Sequence, residues 1–478
     1  EHSGHDVRHA SGPVEATDRA GESAASQVNR PRRSTGLVVA KTRSGNRVKL
    51  GTLGKLVHRL CDPTEFDHSY LDAFFLTYRS FVSPGELLSR IIKKFESTLY
   101  QEPGSQEEST RLRQYRLRVC AALEHWIKRH FYDFEDPALL ERLQDFVEVN
   151  IVAANMDQIA LQLQKQIARF SAIDHLRKLK DEQQAILRVL EDEVFPDEIS
   201  FVFDHDPPKP HPPIRRVVNG CVTVRHYKSE EVARQLCLIE FDYFRQIQPK
   251  ECLNQAWNAE NKEIRAPQLT AMIVRFNEMS RFVQYTILQC QDSQERAKFL
   301  IKWIKVAQKC NLLGNLNGLM EIYAGLTSSP VYNLKRTWAL VPPKWKNIFS
   351  ELETLLSRAG NFKNLRQRMK SAACPCIPYI GLFLSDLTFV DVGNRSEVNG
   401  MINFSKRMML ADIINEIRLF QQQPFLYKPV NQLQELLLHL SCPLDDKALM
   451  ELSLLRDQRS LTLSSGSLAS SSSSSPLL

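Results

Sequence analysis

The sequence predicts an all-α protein of two helical domains, with one small β-hairpin near the start of the first. Three observations predict this class. Gly is scarce, at 18 of 478 residues, and the chain is rich in the helix formers Leu, Lys, Glu and Gln. Apolar residues recur at i, i+3, i+4 spacing through most of the chain. No strand–helix–strand alternation is present, so a parallel sheet is not expected. At 478 residues the chain is too long for one ordinary core, and it divides into two globular units with tails.

Residues 1–36 are polar and aperiodic and are expected to be disordered. Residues 37–165 form the first domain. Val38-Val39-Ala40 and Arg47-Val48-Lys49-Leu50, separated by Ser44-Gly45-Asn46, read as a hairpin. Thr52 is placed as the N-cap of a helix carrying Leu53, Leu56, Val57 and Leu60, which Asp62-Pro63 stops. A second helix carries Leu71, Phe74, Phe75 and Tyr78. Ser83-Pro84-Gly85-Glu86 opens a third, with Ser at the N-cap, Pro at N1 and Glu at N3. Residues 166–228 are a linker, with a charged helix from Ile173 to Leu190 and an extended, proline-locked stretch from Asp204 to Pro213. Residues 229–458 form the larger second domain, again helical. Residues 459–478 are dominated by Ser and are expected to be a disordered tail.

Composition excludes several classes. Net charge is +7, small for this length, and no block of Lys and Arg suggests nucleic acid as a partner; Lys363 to Lys370 reads as a solvated helix face. The ten Cys include no C-x-x-C, so no finger-type metal site and no cofactor is expected. No stretch reaches the roughly 18 apolar residues of a membrane span, and the N-terminus has no signal-peptide core. A reducing, cytoplasmic setting is the expectation. Nucleotide-hydrolysing and hydrolytic motifs are absent: Gly51-Thr52-Leu53-Gly54-Lys55 resembles the end of a phosphate-binding loop, but Leu56 stands where a Mg²⁺-binding hydroxyl is needed. The working surface is therefore expected to bind protein.

Four stretches name a family. They are Glu231-Val-Ala-Arg-Gln-Leu-Cys-Leu-Ile-Glu240, Asn315-Leu-Asn-Gly-Leu-Met320 with Thr327-Ser-Ser-Pro-Val-Tyr332, Pro375-Cys-Ile-Pro-Tyr-Ile-Gly-Leu-Phe-Leu-Ser-Asp-Leu387, and Ile402-Asn-Phe-Ser-Lys-Arg407. In order and spacing they resemble the catalytic domain of Ras-type guanine nucleotide exchange factors. Leu71-Asp-Ala-Phe-Phe-Leu-Thr-Tyr-Arg-Ser-Phe81 resembles the family's N-terminal exchanger motif domain.

The resemblance implies a factor that promotes GDP release from a Ras-family small GTPase without covalent chemistry. Ras fits best, with Rap and Ral as alternatives. The factor would work at the membrane surface through its lipidated GTPase. A hairpin running out along Pro378 to Gly393, turning through Asn394 to Asn399 and returning along Met401 to Gln422 would insert beside the nucleotide site. In the outgoing arm Tyr379, Leu382, Phe383, Asp386, Leu387 and Val390 would pack, with Gly393-Asn394 as the C-cap. Thr388 and Val392 fall where the family's best-known member has a leucine that helps block the metal site and a glutamate that reaches the phosphate-binding loop. Asp391 is the carboxylate nearest that position. These three carry the implied catalytic role. Met320, Ala324, Thr327, Tyr332, Tyr379 and Ser385 carry the implied partner-binding role; Tyr332 could instead pack over Trp338. Phe74, Phe75, Tyr78 and Phe81 could brace the hairpin or fill their own core. The substitutions at Thr388 and Val392 leave open a second reading, a catalytically silent adaptor that binds a GTPase without releasing nucleotide.

Overall fold

The computed structural model describes residues 36–42, 45–64, 67–187, 208–214, 223–372 and 375–466. The expected tails before residue 36 and after residue 466, and residues 204–207 of the Pro-rich stretch, lie outside them.

The first domain opens with β1 (Leu37–Thr42) and β2 (Gly45–Gly51), which pair antiparallel as the alternating apolar pattern predicts. Its helices are α1 (Leu53–Cys61), α2 (His68–Thr77), α3 (Pro84–Leu99), α4 (Gln106–Arg129) and α5 (Pro137–Asp145). The Ser83 hydroxyl caps α3 by accepting from Glu86 N–H, as its sequence signature requires. Thr52 occupies the N-cap of α1 but makes no side-chain cap; its N–H donates instead to Gly36 C=O at 2.8 Å. α2 is apolar on most of its surface, and Phe74, Phe75 and Tyr78 are fully buried.

α6 (Asp157–Leu187) runs unbroken across the expected domain boundary at 165. The expected Ile173–Leu190 helix, whose last three residues lie outside the described ones, is thus the second half of a longer one, because nothing between Asp157 and Ile173 breaks the helical pattern. Residues 208–214 have no helix or strand, as the Pro content dictates.

The second domain comprises α7 (Ser229–Arg245), α8 (Lys262–Arg265), α9 (Pro267–Leu288), α10 (Ser293–Leu313), α11 (Leu316–Thr327), α12 (Ser329–Tyr332), α13 (Lys335–Ala339), α14 (Pro343–Leu355), α15 (Ala359–Lys370), α16 (Ile380–Gly393), α17 (Phe404–Phe420), α18 (Asn431–Leu438) and α19 (Asp446–Gly466). Helices α7, α9, α10 and α11 form the core bundle. α19 continues to Gly466, eight residues into the segment expected to be disordered. Lys363 to Lys370 is not a uniformly solvated face. Arg366 grips Asp386 with two hydrogen bonds at 2.7 and 2.8 Å, and Arg368 donates to Asn311 C=O at 2.8 Å.

The turn of the hairpin differs from expectation. Between its arms lie β3 (Glu397–Val398) and β4 (Met401–Asn403), joined at Asn399-Gly400, both with positive φ (52° and 72°). Asn-Gly at these two positions is the preferred chemistry of a tight two-residue hairpin. The return helix therefore begins at Phe404 rather than Met401, and Asn403 caps it by accepting from Lys406 N–H. α16 does not end on a left-handed glycine either. The Asn394 backbone is extended, and its side-chain amide caps the helix by donating to Val390 C=O at 3.0 Å.

β4 also pairs with β2, Leu50 opposite Asn403 and Gly51 opposite Ile402, giving one four-stranded sheet in the order β1-β2-β4-β3. A strand of the first domain is thus stitched to the tip of the hairpin. Gly51 itself is closely packed within its own domain, since a Cβ there would lie 2.7 Å from the Leu56 side chain and 2.9 Å from that of Leu37.

Candidate functional site

α16 is apolar nearly all round, and a helix of that kind is ordinarily enclosed. Here only one side is. Leu382, Phe383 and Leu387 are buried, while on the other side Phe389 is 77% and Val392 72% exposed. Leu384, Ser385, Thr388, Phe389, Val392 and Gly393 line an open depression whose far wall is the buried indole of Trp257. Exposed apolar surface rimmed by polar groups marks a docking face.

Ser385, Thr388 and Val392 thus share one face. The Thr388 hydroxyl donates to Leu384 C=O at 2.8 Å, so what Thr388 offers outward is its methyl group. Asp391 points elsewhere. Its carboxylate pairs with Lys406 Nζ of the return arm at 2.7 Å and accepts from Gln255 Nε2 at 3.2 Å. Burial alone would raise this carboxyl, but hydrogen bonds from Lys406 and Gln255 and the charges of Lys406 and Arg407 outweigh it and hold it below the usual range. Asp386 does not pack apolarly, being held by Arg366. Tyr379 and Val390 are half-buried.

The second group lies on α11 and α12. Met320 is buried, and Ala324 and Thr327 are half-buried; the Thr327 hydroxyl is used within its own helix, donating to Tyr323 C=O at 2.8 Å. Tyr332 does not pack over Trp338 in the core. It is 53% exposed, with the Lys335 ammonium 3.8 Å from its ring centroid. α11 is tied to the approach to α16, since Leu316 N–H donates to Ile377 C=O at 2.9 Å. The Tyr379 ring stands 5.8 Å from Phe276 and 6.3 Å from Phe362. Beneath α11, Glu240 and Glu321 are both buried, and the Asn317 amide donates to both, at 3.4 and 2.8 Å. Burial pushes Glu240 up to about 7 and Glu321 well above the usual carboxylate range, so the pair holds a proton.

The hairpin is fixed from two sides. At its base, Gln421 Nε2 donates to Phe244 and Ile247 carbonyls at 2.9 and 3.0 Å. At its outer side, the Phe404 ring lies 4.7 Å from Tyr70 and 6.4 Å from Phe74, and Arg407 sits over Phe81 at 5.7 Å. The first-domain aromatics therefore both fill their own core and meet the return arm.

Residues 47–146 match the RasGEF N-terminal motif and residues 231–408 match the RasGEF domain. The chain belongs to the RasGEF family. Among family members, it is 33% identical over 401 residues to Ras guanine nucleotide exchange factor A of Dictyostelium discoideum, covering 82% of this chain and 61% of that one. It is 32% identical over 408 residues to factor P of the same organism, covering 83% and 25%. With Protein son of sevenless of Drosophila melanogaster it shares 29% over 412 residues, covering 79% and 24%. The chain therefore spans between about a quarter and three fifths of the length of these relatives. Among the described residues no helix is long and apolar enough to cross a membrane.

Reading the sequence missed Phe389, Trp257 and Gln255, and it took Ser405-Lys406-Arg407 for the start of a polar stripe on the return arm, whereas Lys406 and Arg407 are buried. Phe389 had a signal: Ile380 to Val392 holds more apolar residues than one buried stripe can use. Gln255 had none, because a left-handed Asn254-Gln255 pair (φ 51° and 49°) is set by its surroundings.

Proposed function

We propose that this chain promotes GDP release from a Ras-family GTPase by presenting the open face of α16 to the nucleotide site. One observation carries the reading: a stiff helix, anchored at base and tip, leaves the apolar side chains of Phe389 and Val392 exposed beside Thr388 on one open face. An apolar side chain brought to a Mg²⁺–phosphate site supplies no ligand to the metal and removes the space water and nucleotide need. Tyr332, Thr327 and the Tyr379 cluster form the second contact area, suited to a partner segment that mixes apolar and polar groups. The first domain braces the hairpin through the shared sheet and the Tyr70–Phe74–Phe404 contacts.

The energetics are those of linkage. A GTPase that holds nucleotide at picomolar Kd holds it by about 16 kcal/mol. The factor must bind the empty GTPase more tightly than the loaded one by the same ratio by which it weakens nucleotide. Ras is the favoured substrate, on the resemblance of Ile402-Asn-Phe-Ser-Lys and Phe420-Gln-Gln-Gln-Pro-Phe425 to Ras-directed members. Membrane proximity would come through the lipidated GTPase.

Release of a fluorescent GDP analogue from Ras, Rap and Ral, each with excess GTP, tests the reading. Acceleration for one of them supports it. Binding without acceleration supports the silent adaptor, which the loss of leucine and glutamate at Thr388 and Val392 motivates.

A further inference from the structure

We propose that Asp391 is a positioning residue, the acceptor of a latch in which Lys406 and Gln255 lock the end of α16 to the return arm and to the Trp257 loop. This rests on the exchange reading above and gives Asp391 a part other than direct contact with the partner's phosphate-binding groups.

The donor count makes the case. Lys406 is 2% exposed, and an ammonium taken from water must satisfy three N–H donors. It has three acceptors: Asp391 Oδ1 at 2.7 Å, Asp391 C=O at 2.8 Å and Ser396 Oγ at 3.1 Å. The carbonyl is one of those that a helix leaves without an internal partner in its last turn, where a cation is also favoured by the helix dipole. One buried side chain of α17 thus holds both the terminus of α16 and the strand connection that follows it. The second carboxylate oxygen, Oδ2, accepts from Gln255 at 3.2 Å.

Gln255 is placed for this at a cost. It and Asn254 are consecutive non-glycine residues in the left-handed region, which persists only where the surroundings enforce it. Two residues on, Trp257 forms the wall of the depression. The latch therefore joins both walls of the site through one carboxylate. Arg407, also buried, adds positive charge beside Asp391. A carboxylate at the end of α16 is disfavoured by the helix dipole, and these cations remove that penalty.

The test uses the full chain with Asp391→Asn, Lys406→Met and the double variant, measuring fluorescent GDP release over a range of GTPase concentrations. The latch predicts that each single variant lowers kcat roughly tenfold, as loss of alignment does, with KM moved less than about threefold. It also predicts that the double variant is no slower than the worse single one. A carboxylate acting directly on the GTPase gives a different pattern. Lys406→Met then keeps the full rate while Asp391→Asn alone is slow, which overturns the proposal; so does a slow Lys406→Met whose loss multiplies with that of Asp391→Asn in the double variant. Amide exchange of the chain alone is read in parallel. Asp391→Asn and Gln255→Ala are expected to speed exchange across residues 395–403, and unchanged protection in both overturns the latch even if Lys406→Met does not fold. Wild-type chain that accelerates no GTPase refutes the exchange reading, while the amide measurement still decides the latch.

Discussion

Phe404→Ala isolates the contact between the two domains. Phe404 is the first residue of α17, has no exposed surface, and sits against Tyr70 and Phe74. Truncating a core Phe costs about 3–5 kcal/mol in all. Of this, the two aromatic pairs lost across the boundary account for roughly 0.5–1.5 kcal/mol each. About 1–3 kcal/mol is therefore withdrawn from what holds the hairpin in place. At about 1.4 kcal/mol per tenfold change, the equilibrium constant for the competent hairpin orientation falls by roughly five- to 150-fold. Urea unfolding measures the stability loss, and fluorescent GDP release, corrected for folded fraction, measures the activity. Phe95→Ala is the control. Phe95 is equally buried but meets Phe146 inside the first domain, 5.3 Å away, so it should lose similar stability and keep its rate. If Phe404→Ala lost stability and kept the exchange rate of wild type, the first domain would not be bracing the hairpin.

Three further outcomes are expected. Thr388→Arg places a long cation in the open depression; unfolding free energy should change by less than about 1 kcal/mol while exchange falls at least tenfold, and full activity would show that this face is not the wedge. Gly400→Val forces a β-branched side chain to a φ of +72° in open space, so the loss of about 1–3 kcal/mol expected in urea unfolding is backbone strain alone. Glu321→Gln tests the buried carboxyl pair. A carboxyl whose folded pKa is raised supports the fold below its unfolded pKa, and that support is lost as pH rises towards the folded value. Wild type should therefore lose stability as pH rises from the ordinary carboxylate range towards about 7, and the amide variant should lose less over that span in calorimetry or urea titration.

Helix-forming regions were legible because periodicity and caps are local. Ser83-Pro84-Gly85-Glu86 is a complete start signal within four residues, and the structure uses it. The β1–β2 hairpin was legible for the same reason. The pairing of β2 with β4 was not, since it joins residues some 350 positions apart and only two pairs carry it. The strand segment Met401–Asn403 reads as the start of a helix by composition; the Asn399-Gly400 turn and β2 override that preference. The candidate face was half legible. Resemblance placed Thr388, Asp391 and Val392 on one short stretch of helix. Which way Asp391 points depends on Lys406 and Gln255, which lie 15 and 136 residues away from it. The start of α6 and the continuation of α19 were missed at boundaries where the sequence carries no cap or breaker.

The central claim is that the α16 face and guanine nucleotide exclude one another on the same GTPase. Nucleotide-free Ras-family GTPase, mixed with the full chain and run by size exclusion, should elute as one stable complex. Adding GDP with Mg²⁺ should dissolve that complex, and the GTPase should leave carrying nucleotide. A complex that persists with nucleotide bound, or that forms equally well with loaded GTPase, would contradict the account.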